Sequence, residues 1–557
     1  MKKLLSVLLV LAMMLSAVSA VMAEGAEEPI TVTMFYGAPG DQPMDDNKIY
    51  KMIEDQFGIK FEFEFLGGDL NEKLNLLMAD EENLPDLIDG SNSAEMLENG
   101  EVLIDLLPYI TEEGTPNLYK HIYTDDRIKQ IVNENGELFI IPNYGINYNA
   151  QIQNYCNGPA FFIQKQVIAW NNYKVPTTLD EYFDLIEAFL AANPANANGT
   201  PYKGFSILCE GWRHFCLINP VQHLMGRPND GEVVIDVNDP GYHTETFIDK
   251  PYAKPYYKKL NEEYHKGLIS ADTFTMNYEQ YIADLANGTV LGMFDQTWDF
   301  GDATNSLTDS KMYENTYLAL PLLYDADDLE GVAMPTETWK IEEHYLNGSV
   351  MNKDRGVGIS INCKYPERLI KFMDAMLSDE WQVILNWGIE GEDYYVEDGR
   401  MLMSQEQYEQ RSNTTWRRSN RAYTIWDSFP KKQGTMDDGN AWDPGNQPEI
   451  YFGQMNDYDK AFLEACGKKT PAEFFNPPIE LAPYGEAWQI DKAPIDIDYN
   501  QGFLAIQDRM LPGVITCDEA DFDAKWDEFV TEITPYCEIY SEFMQAEVLK
   551  LVELVTK

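Results

Sequence analysis

The chain has 557 residues, of which 44% are hydrophobic and 24% charged, so it is long enough for more than one core and is not a disordered protein. It carries 41 basic and 93 acidic side chains, a formal net charge of −52. This balance argues against a nucleic-acid-binding protein, and an anionic membrane surface would repel the chain. Aromatic residues make up 13%, which suits core packing and also flat ligand-binding surfaces.

Residues 1–23 have the pattern of a secretory signal peptide. Lys2 and Lys3 precede an apolar run over residues 4–15, and small residues follow up to Ala23. An uncleaved membrane anchor is the alternative. Because Cys156 is the first cysteine, we expect no lipid-modified cysteine at the cleavage site, and no later run is apolar enough to span a bilayer. The mature chain is expected to be extracellular, secreted to the cell surface or the periplasm.

Strand and helix patterns alternate after this leader. Residues 30–36 are rich in β-branched and apolar side chains, and an amphipathic helix pattern covers 47–57. Residues 59–66 alternate apolar and charged side chains, a second helix pattern covers 71–79, and a short strand is predicted over 84–89. Such alternation predicts an α/β fold with a parallel sheet.

The clearest helix start lies further along the chain. Thr178 can cap a helix, and Glu181 stands three residues later, which predicts a capping box. Helical patterns over 366–377 and 522–554 predict further helices, the last of them closing the chain.

The stretch from Tyr278 to Trp298 combines the features of a ligand-binding position. A helix pattern over 278–286 is followed by Asn287-Gly288, which predicts a helix end, and then by a short apolar strand over 289–294. Asp295 and Trp298 belong to the polar-aromatic loop after this strand, where open α/β sheets bind ligands. A core position for Trp298 is the alternative.

Metal, disulfide and catalytic motifs are weak. The seven cysteines leave at least one unpaired, and Cys209/Cys216 and Cys517/Cys537 are the pairs that could form locally. No Cys-x-x-Cys, paired-histidine, P-loop or nucleophile-elbow motif occurs. Residues 496–500 begin like a calcium loop, but no glutamate closes it. The sequence therefore predicts no metal site, no cofactor and no catalytic residue.

Several motifs resemble, in their order, those of extracellular solute-binding proteins of ABC transporters. They lie at residues 30–35, 72–79 with 84–88, 136–142, 176–181, 356–360 with Pro366-Glu367, and 386–391. The last of these, Asn386-Trp-Gly-Ile-Glu-Gly391, resembles the long oligosaccharide-binding branch called LipO-like.

This resemblance implies a two-lobed periplasmic-binding-protein-like α/β fold (Venus flytrap, class II) with the ligand cleft between the lobes. Lobe 1 is expected at 29–145 plus 355–415, and lobe 2 at 146–354 plus 416–557. The implied function is non-catalytic: a monomer captures an oligosaccharide for the permease subunits of an ABC transporter. A secreted polysaccharide-active enzyme, or a binder of peptides or other small solutes in the same cleft, is the alternative.

The resemblance also places ligand-binding side chains in loops that follow strands. From lobe 1 these are Phe35, Tyr36, Asp89, Ser91, Asn92 and Tyr144, and from lobe 2 they are Glu210, Trp212, Arg213, Asp295 and Trp298. Each has a structural alternative: the aromatic residues could be half-buried packing residues, and Asp89 could cap a helix.

Two departures from the family pattern concern tethering and calcium. The chain lacks the lipobox cysteine that tethers many members. The loop at 193–199 has no carboxylate, so the calcium site of long-branch members is not carried over.

Residues 416–421 form the one basic-aromatic cluster of the sequence, which indicates either recognition of an acidic sugar such as a uronate or a salt-bridged helix or loop.

Overall fold

The computed structural model describes residues 28–123, 128–133, 135–143, 146–148, 153–156, 158–332, 355–478 and 482–556. The predicted signal peptide and Tyr144 lie outside these ranges. Two compact units divide the chain: Met1–Ile146 with Met351–Lys432, and Asn147–Val350 with Gln433–Lys557.

Residues 416–432 belong to the first unit, whereas we expected them in the second lobe. Ala422, Ile425 and Phe429 are buried in the core of the first unit, and this apolar contact decides the assignment. The first unit thus extends to Lys432, beyond the expected boundary at residue 415.

The strands of the described residues are β1 (Ile30–Tyr36), β2 (Ile59–Phe65), β3 (Leu87–Asp89), β4 (Ile141–Pro142), β5 (Ile146–Tyr148), β6 (Ala160–Gln164), β7 (Lys203–Ser206), β8 (Val233–Ile235), β9 (Thr244–Thr246), β10 (Val290–Asp295), β11 (Tyr317–Leu320), β12 (Gly356–Ile359), β13 (Tyr395–Glu397), β14 (Arg400–Leu402) and β15 (Lys432–Gly434).

The α-helices of the same residues are α1 (Lys48–Phe57), α2 (Leu70–Ala79), α3 (Ala94–Asn99), α4 (Pro116–Leu118), α5 (Ile128–Ile131), α6 (Lys165–Trp170), α7 (Leu179–Ala192), α8 (Phe215–Ile218), α9 (Pro220–Leu224), α10 (Lys254–His265), α11 (Tyr278–Ala286), α12 (Gly301–Asp309), α13 (Pro366–Met376), α14 (Asp379–Asn386), α15 (Gln405–Gln410), α16 (Thr414–Asn420), α17 (Tyr423–Ser428), α18 (Pro448–Gln454), α19 (Asp457–Ala465), α20 (Ala505–Thr516) and α21 (Phe522–Thr556).

A five-stranded sheet with the order β2-β1-β3-β12-β4 forms the first unit. β1 pairs in parallel with β2 and β3, and β12 runs antiparallel to β3 and β4. The alternation predicted for the start of the chain is confirmed, since α1 and α2 connect these parallel strands. Asn47 begins α1 by accepting hydrogen bonds from the N–H groups of Ile49 and Tyr50.

A four-stranded sheet with the order β11-β6-β10-β7 forms the centre of the second unit. β10 is parallel to β7 and antiparallel to β6. The helix α7 covers one face, and its Tyr182 hydroxyl donates to the carbonyl of Phe162 in β6 over 2.8 Å. Thr178 caps α7 as predicted, but the Glu181 carboxylate accepts from the N–H of Thr177 rather than closing a capping box.

The C-terminal helix α21 completes the core of the second unit. Its 35 residues contribute Phe529, Ile533 and Tyr540, all essentially inaccessible, to the same apolar cluster as Tyr182. The seven cysteines are all free, so neither local pair that the spacing allowed is formed. Across the described residues, the structure contains no helix that is both long and apolar enough to cross a membrane.

Candidate functional site

Trp212 and Trp298 form an exposed stacked pair on the second unit. Trp212 lies in a 3-10 turn, Gly211–His214, that follows β7, and Trp298 follows β10. Because β7 and β10 are parallel neighbours, their carboxyl ends bring both loops to one edge of the sheet. The ring centroids are 5.7 Å apart with 18° between the planes, and 56% and 52% of the two residues are exposed. We call this pair the tryptophan platform.

Neighbouring side chains hold the platform in place. The Phe215 ring packs against both tryptophans, with centroids 6.0 Å from Trp212 and 6.2 Å from Trp298. The Trp298 indole N–H donates to the Gln296 side-chain oxygen over 2.9 Å. An indole pair fixed in this way while half exposed leaves a large apolar area in water, which is typical of a binding surface.

Arg213 is enclosed by rings and paired with a buried carboxylate. Its guanidinium carbon lies 4.3 Å from the Trp212 ring centroid and 3.8 Å from that of Tyr278. Its Nε donates to the two carboxylate oxygens of Asp299 at 2.9 and 3.1 Å. Burial raises the pKa of the Asp299 carboxyl, and Arg213 opposes this shift. Arg213 was predicted to bind ligand, and in the structure its guanidinium contacts Trp212 and is bonded to Asp299, which helps to hold the platform in place.

Asp295 lies beneath the platform, not on it. This last residue of β10 has no exposed surface, and its carboxylate accepts from the Tyr281 hydroxyl and from the Gln296 N–H, each over 2.7 Å. Burial, followed by the charge of Asp299, raises its pKa to about 7. A direct ligand contact from Asp295 is therefore replaced by a supporting role, in which it fixes the loop that carries Trp298.

Glu210 and His214 flank Trp212 and tie its turn to other elements. The Glu210 carboxylate accepts from the N–H of Tyr278 over 2.7 Å. The His214 Nε2 lies 3.5 Å from the partly buried Glu232 carboxylate, which also accepts from the Tyr499 and Tyr540 hydroxyls at 3.0 and 2.8 Å. Sequence reasoning missed Glu232, because its partners stand far away in the chain and no motif marks them.

The charges of His214 and Glu232 support each other. Burial disfavours the Glu232 carboxylate, but His214, Lys492 and Tyr540 outweigh burial and lower its pKa to about 2. Burial likewise disfavours the imidazolium of His214, yet Glu232 outweighs it and raises the pKa of the histidine. The turn that carries Trp212 is thus anchored by an ion pair.

In the first unit, Tyr36 and Asp89 stand side by side on paired strands. They are register partners in β1 and β3, and the Tyr36 hydroxyl donates to the Asp427 carboxylate in a short hydrogen bond. Burial raises the pKa of Asp89 to about 6, although the Ser428 hydroxyl and the Ser91 N–H oppose this. These residues form a polar cluster at the carboxyl ends of two parallel strands.

The backbone beside Asp89 is tightly packed. Ser91 has a positive φ of 49°, its N–H donates to the Asp89 carboxylate over 2.7 Å, and Asn92 beside it is exposed. A Cβ at Gly37 would lie 2.6 Å from the Asp89 carbonyl oxygen, so only glycine allows the loop after β1 to approach this closely.

Helix α17 supplies polar and aromatic side chains that sequence reasoning missed. Besides Asp427, it carries Tyr423, which is 47% exposed and lies 5.1 Å from the Arg417 guanidinium carbon. Lys431, just after the helix, lies 3.4 Å from the Asp427 carboxylate. The basic-aromatic cluster at 416–421 pointed to this region, but the predicted segment ended before α17 began.

Phe35 does not belong to this surface. It has no exposed area and packs in an apolar cluster with Leu74 and Ile88. Successive strand residues point to opposite faces, so the position of Tyr36 in the polar cluster turns Phe35 towards the core. The predicted ligand contact from Phe35 is therefore withdrawn.

Two arginines of the 416–421 cluster serve the framework. Arg418 donates through Nε to the carbonyl of Gln42 over 2.7 Å, and Arg421, which is 7% exposed, donates to the carbonyls of Leu385 and Asn386. Their partners are main-chain carbonyls. In this structure, Arg418 and Arg421 hold the segment against its own unit.

The loop at 193–199 is closed by amides. The Asn196 side-chain oxygen accepts from the N–H groups of Asn198 and Thr200, each over 3.0 Å. Within the ranges that the structure describes, no three His, Cys, Asp or Glu side chains gather as a potential metal site.

Comparison with known proteins identifies the family. The family described as "Bacterial extracellular solute-binding protein" matches residues 48–386, more than half of the chain. Lipoprotein LipO of Bacillus subtilis (strain 168) is 23% identical over 384 residues, covering 68% of this chain and 70% of LipO.

Solved structures show the same fold. An extracellular solute-binding protein from Bifidobacterium longum subsp. infantis is 16% identical, with a TM-score of 0.61 and coverage of 96% of this chain and 99% of that one. An HMO-binding, ABC-transporter-associated solute-binding protein from Bifidobacterium longum infantis is 15% identical, and the S. pneumoniae substrate-binding protein FusA in complex with kestose is 17% identical. Both have a TM-score of 0.57 and cover 94% of this chain and 99% of their own.

These matches confirm the predicted fold class, a two-lobed α/β fold of the solute-binding type. The family and the similar structures are binding proteins of transporters rather than enzymes. The chain belongs to the bacterial extracellular solute-binding proteins.

Proposed function

We propose that this protein captures an oligosaccharide outside the cell and delivers it to the permease subunits of an ABC transporter. The tryptophan platform is the observation that carries the proposal. The C–H face of a sugar ring is apolar and flat enough to stack on an indole, and Trp212 and Trp298 together offer an exposed double ring. A platform of this kind suits a pyranose or furanose chain better than a small ionic solute.

Polar groups beside the platform support a saccharide. Sugar hydroxyls both donate and accept hydrogen bonds, so they need carboxylates, amides and hydroxyls as partners. We propose Glu210 as such a partner in the second unit. In the first unit we propose Tyr36, Asp89, Ser91 and Asn92 from the sequence prediction, joined by Tyr423 and Asp427 from the structure. Tyr144 stays a prediction.

The names of similar proteins favour the same class of solute. One binds HMO and another was solved with kestose, and both share only the fold with this chain. We further propose that the protein is monomeric and that cleavage after Ala23 releases it to the outside of the cell. Mass spectrometry of the N-terminus of exported protein tests the cleavage, and light scattering tests the monomer.

Binding of saccharides is tested with purified mature protein against a glycan array and a peptide library. Tryptophan fluorescence reports contact with the platform, and assays for new reducing ends report hydrolysis. We expect a saccharide to bind and quench fluorescence without new reducing ends. Selective peptide binding would instead favour a peptide carrier, and turnover of a glycan would show a secreted polysaccharide-active enzyme.

A further inference from the structure

The charges around the tryptophan platform bear on whether the solute is charged. The basic groups of the turn that carries Trp212 are Arg213, whose Nε is bonded to both oxygens of Asp299, and His214, which is paired with Glu232. Asp299 is only 2% exposed, so this carboxylate is a permanent partner and not a counter-ion that a solute displaces. The guanidinium carbon also lies within 4.3 Å of the ring centroids of Trp212 and Tyr278.

The other ionisable groups at the platform are acids. Glu210 is exposed at the start of the turn that carries Trp212, and Asp295 lies buried beneath Trp298. A carboxylate on a stacked sugar would therefore come close to Glu210 and Asp299 while meeting a single arginine that is already neutralised. Like charges at such distances repel, and the formal charge of −52 opposes the approach of an anion from farther away.

Three basic side chains between residues 418 and 431 of the first unit also have partners of their own. Arg418 and Arg421 donate to main-chain carbonyls, and Lys431 lies 3.4 Å from Asp427. Burial and the charge of Asp427 raise the pKa of the Tyr423 hydroxyl, and the charge of Arg417 opposes this shift. Two of the three arginines in the 416–421 cluster are thus bonded to main-chain carbonyls. This argues against recognition of a uronate, one of the two interpretations of the cluster.

We propose that the solute is an uncharged oligosaccharide and that the Arg213–Asp299 pair discriminates against sugars that carry a carboxylate. This inference rests on the proposed saccharide-binding function and adds the chemical class. An unpaired arginine beside the rings would attract the carboxylate of a uronate. Because Asp299 neutralises Arg213, this attraction is removed.

Titration calorimetry with matched saccharides tests the proposal on the unaltered protein. The pairs are linkage-matched tri- and tetrasaccharides that differ only at C6: galactose against galacturonate, glucose against glucuronate, and mannose against mannuronate. We expect at least one neutral member to bind, and we expect its uronate counterpart to bind more weakly by a factor of about ten or more. Equal or tighter binding of a uronate overturns this inference and leaves the saccharide proposal standing, whereas no binding of any saccharide on the glycan array overturns both.

The variant Asp299→Asn isolates the role of the pair. It removes the carboxylate partner of Arg213, so the ratio of uronate to neutral affinity should rise about tenfold. Asp309→Asn is the matched control, because Asp309 is an exposed acid at the far end of α12 and its loss changes the net charge equally. An Asp299→Asn protein that folds, melts cooperatively and keeps the wild-type ratio contradicts the assignment. If this variant does not fold, the comparison on wild-type protein still decides.

Discussion

Replacing Trp298 with alanine tests whether the tryptophan platform binds the solute. The side chain is 52% exposed, and it touches Trp212 and Phe215 through ring contacts at 5.7 and 6.2 Å. Its removal therefore takes away half of the platform while leaving the buried sheet intact.

The expected magnitudes follow from these contacts. An aromatic contact is worth about 0.5–1.5 kcal/mol, so losing two of them lowers the free energy of unfolding by about 1–3 kcal/mol. A solute that stacks on Trp298 loses a similar ring contact, and Trp212 loses the neighbour that orients it. A loss of about 1–3 kcal/mol in binding raises Kd roughly 5- to 150-fold.

Calorimetry with the best saccharide from the array, together with a urea unfolding curve, measures both effects. Trp170→Ala is the control, because Trp170 is 44% exposed on α6 and makes a T-shaped contact with Phe189 at 5.7 Å. With one such contact, it should lower stability by about 0.5–1.5 kcal/mol and leave Kd unchanged. If Trp298→Ala binds the saccharide as tightly as the wild type, the platform is not the binding surface and the reasoning is refuted.

Three further changes probe the framework around the two surfaces. Glu232→Gln leaves His214 without its counter-ion. The lowered pKa of Glu232 stabilises the fold above about pH 4.5, and the raised pKa of His214 stabilises it below about pH 6.5. Thermal melts should therefore show that the variant loses more stability at pH 5.5 than at pH 8.5. Asp295→Asn should flatten the pH profile of the free energy of unfolding in urea. The pKa of about 7 lies above the ordinary 3.8, so the stability of the wild type falls by up to about 4 kcal/mol as the pH rises between these values. A variant that is no more stable than the wild type at pH 8 contradicts the burial argument. Phe35→Ala should destabilise the first unit by about 3–5 kcal/mol in urea while the Kd at permissive urea concentrations stays unchanged; a weakened Kd would restore Phe35 as a ligand contact.

Much of the local structure was predictable because it depends on neighbours in the chain. Alternating patterns predicted β1, α1, β2 and α2, and α11 ends where Asn287-Gly288 indicated, with Gly288 at a φ of 66°. The loop position of Trp298 after a buried strand also followed from the order of residues alone.

Other features depended on contacts between distant segments. Asp427 reaches Tyr36 across 391 positions, and Glu232 meets Tyr540 across 308. No periodicity or local motif encodes such pairs, so the contact of Asp427 with the polar cluster and the partners of Glu232 were missed. Phe35 was misassigned for a related reason: strand alternation shows that it and Tyr36 face opposite ways, but the apolar cluster with Leu74 and Ile88 that buries Phe35 forms only in the packed unit.

The sequence by itself determined the α/β class and one tryptophan at the carboxyl end of a strand, because hydrophobic periodicity and turn residues act over short distances. The resemblance to the family came from the order of its motifs along the chain. Tertiary structure alone decided that Trp212 lies beside Trp298, that Arg213 is paired with Asp299, and that the 416–432 segment joins the first unit. Each of these depends on burial and pairing between residues far apart in the chain, and those free energies exist only once the strands and helices have packed.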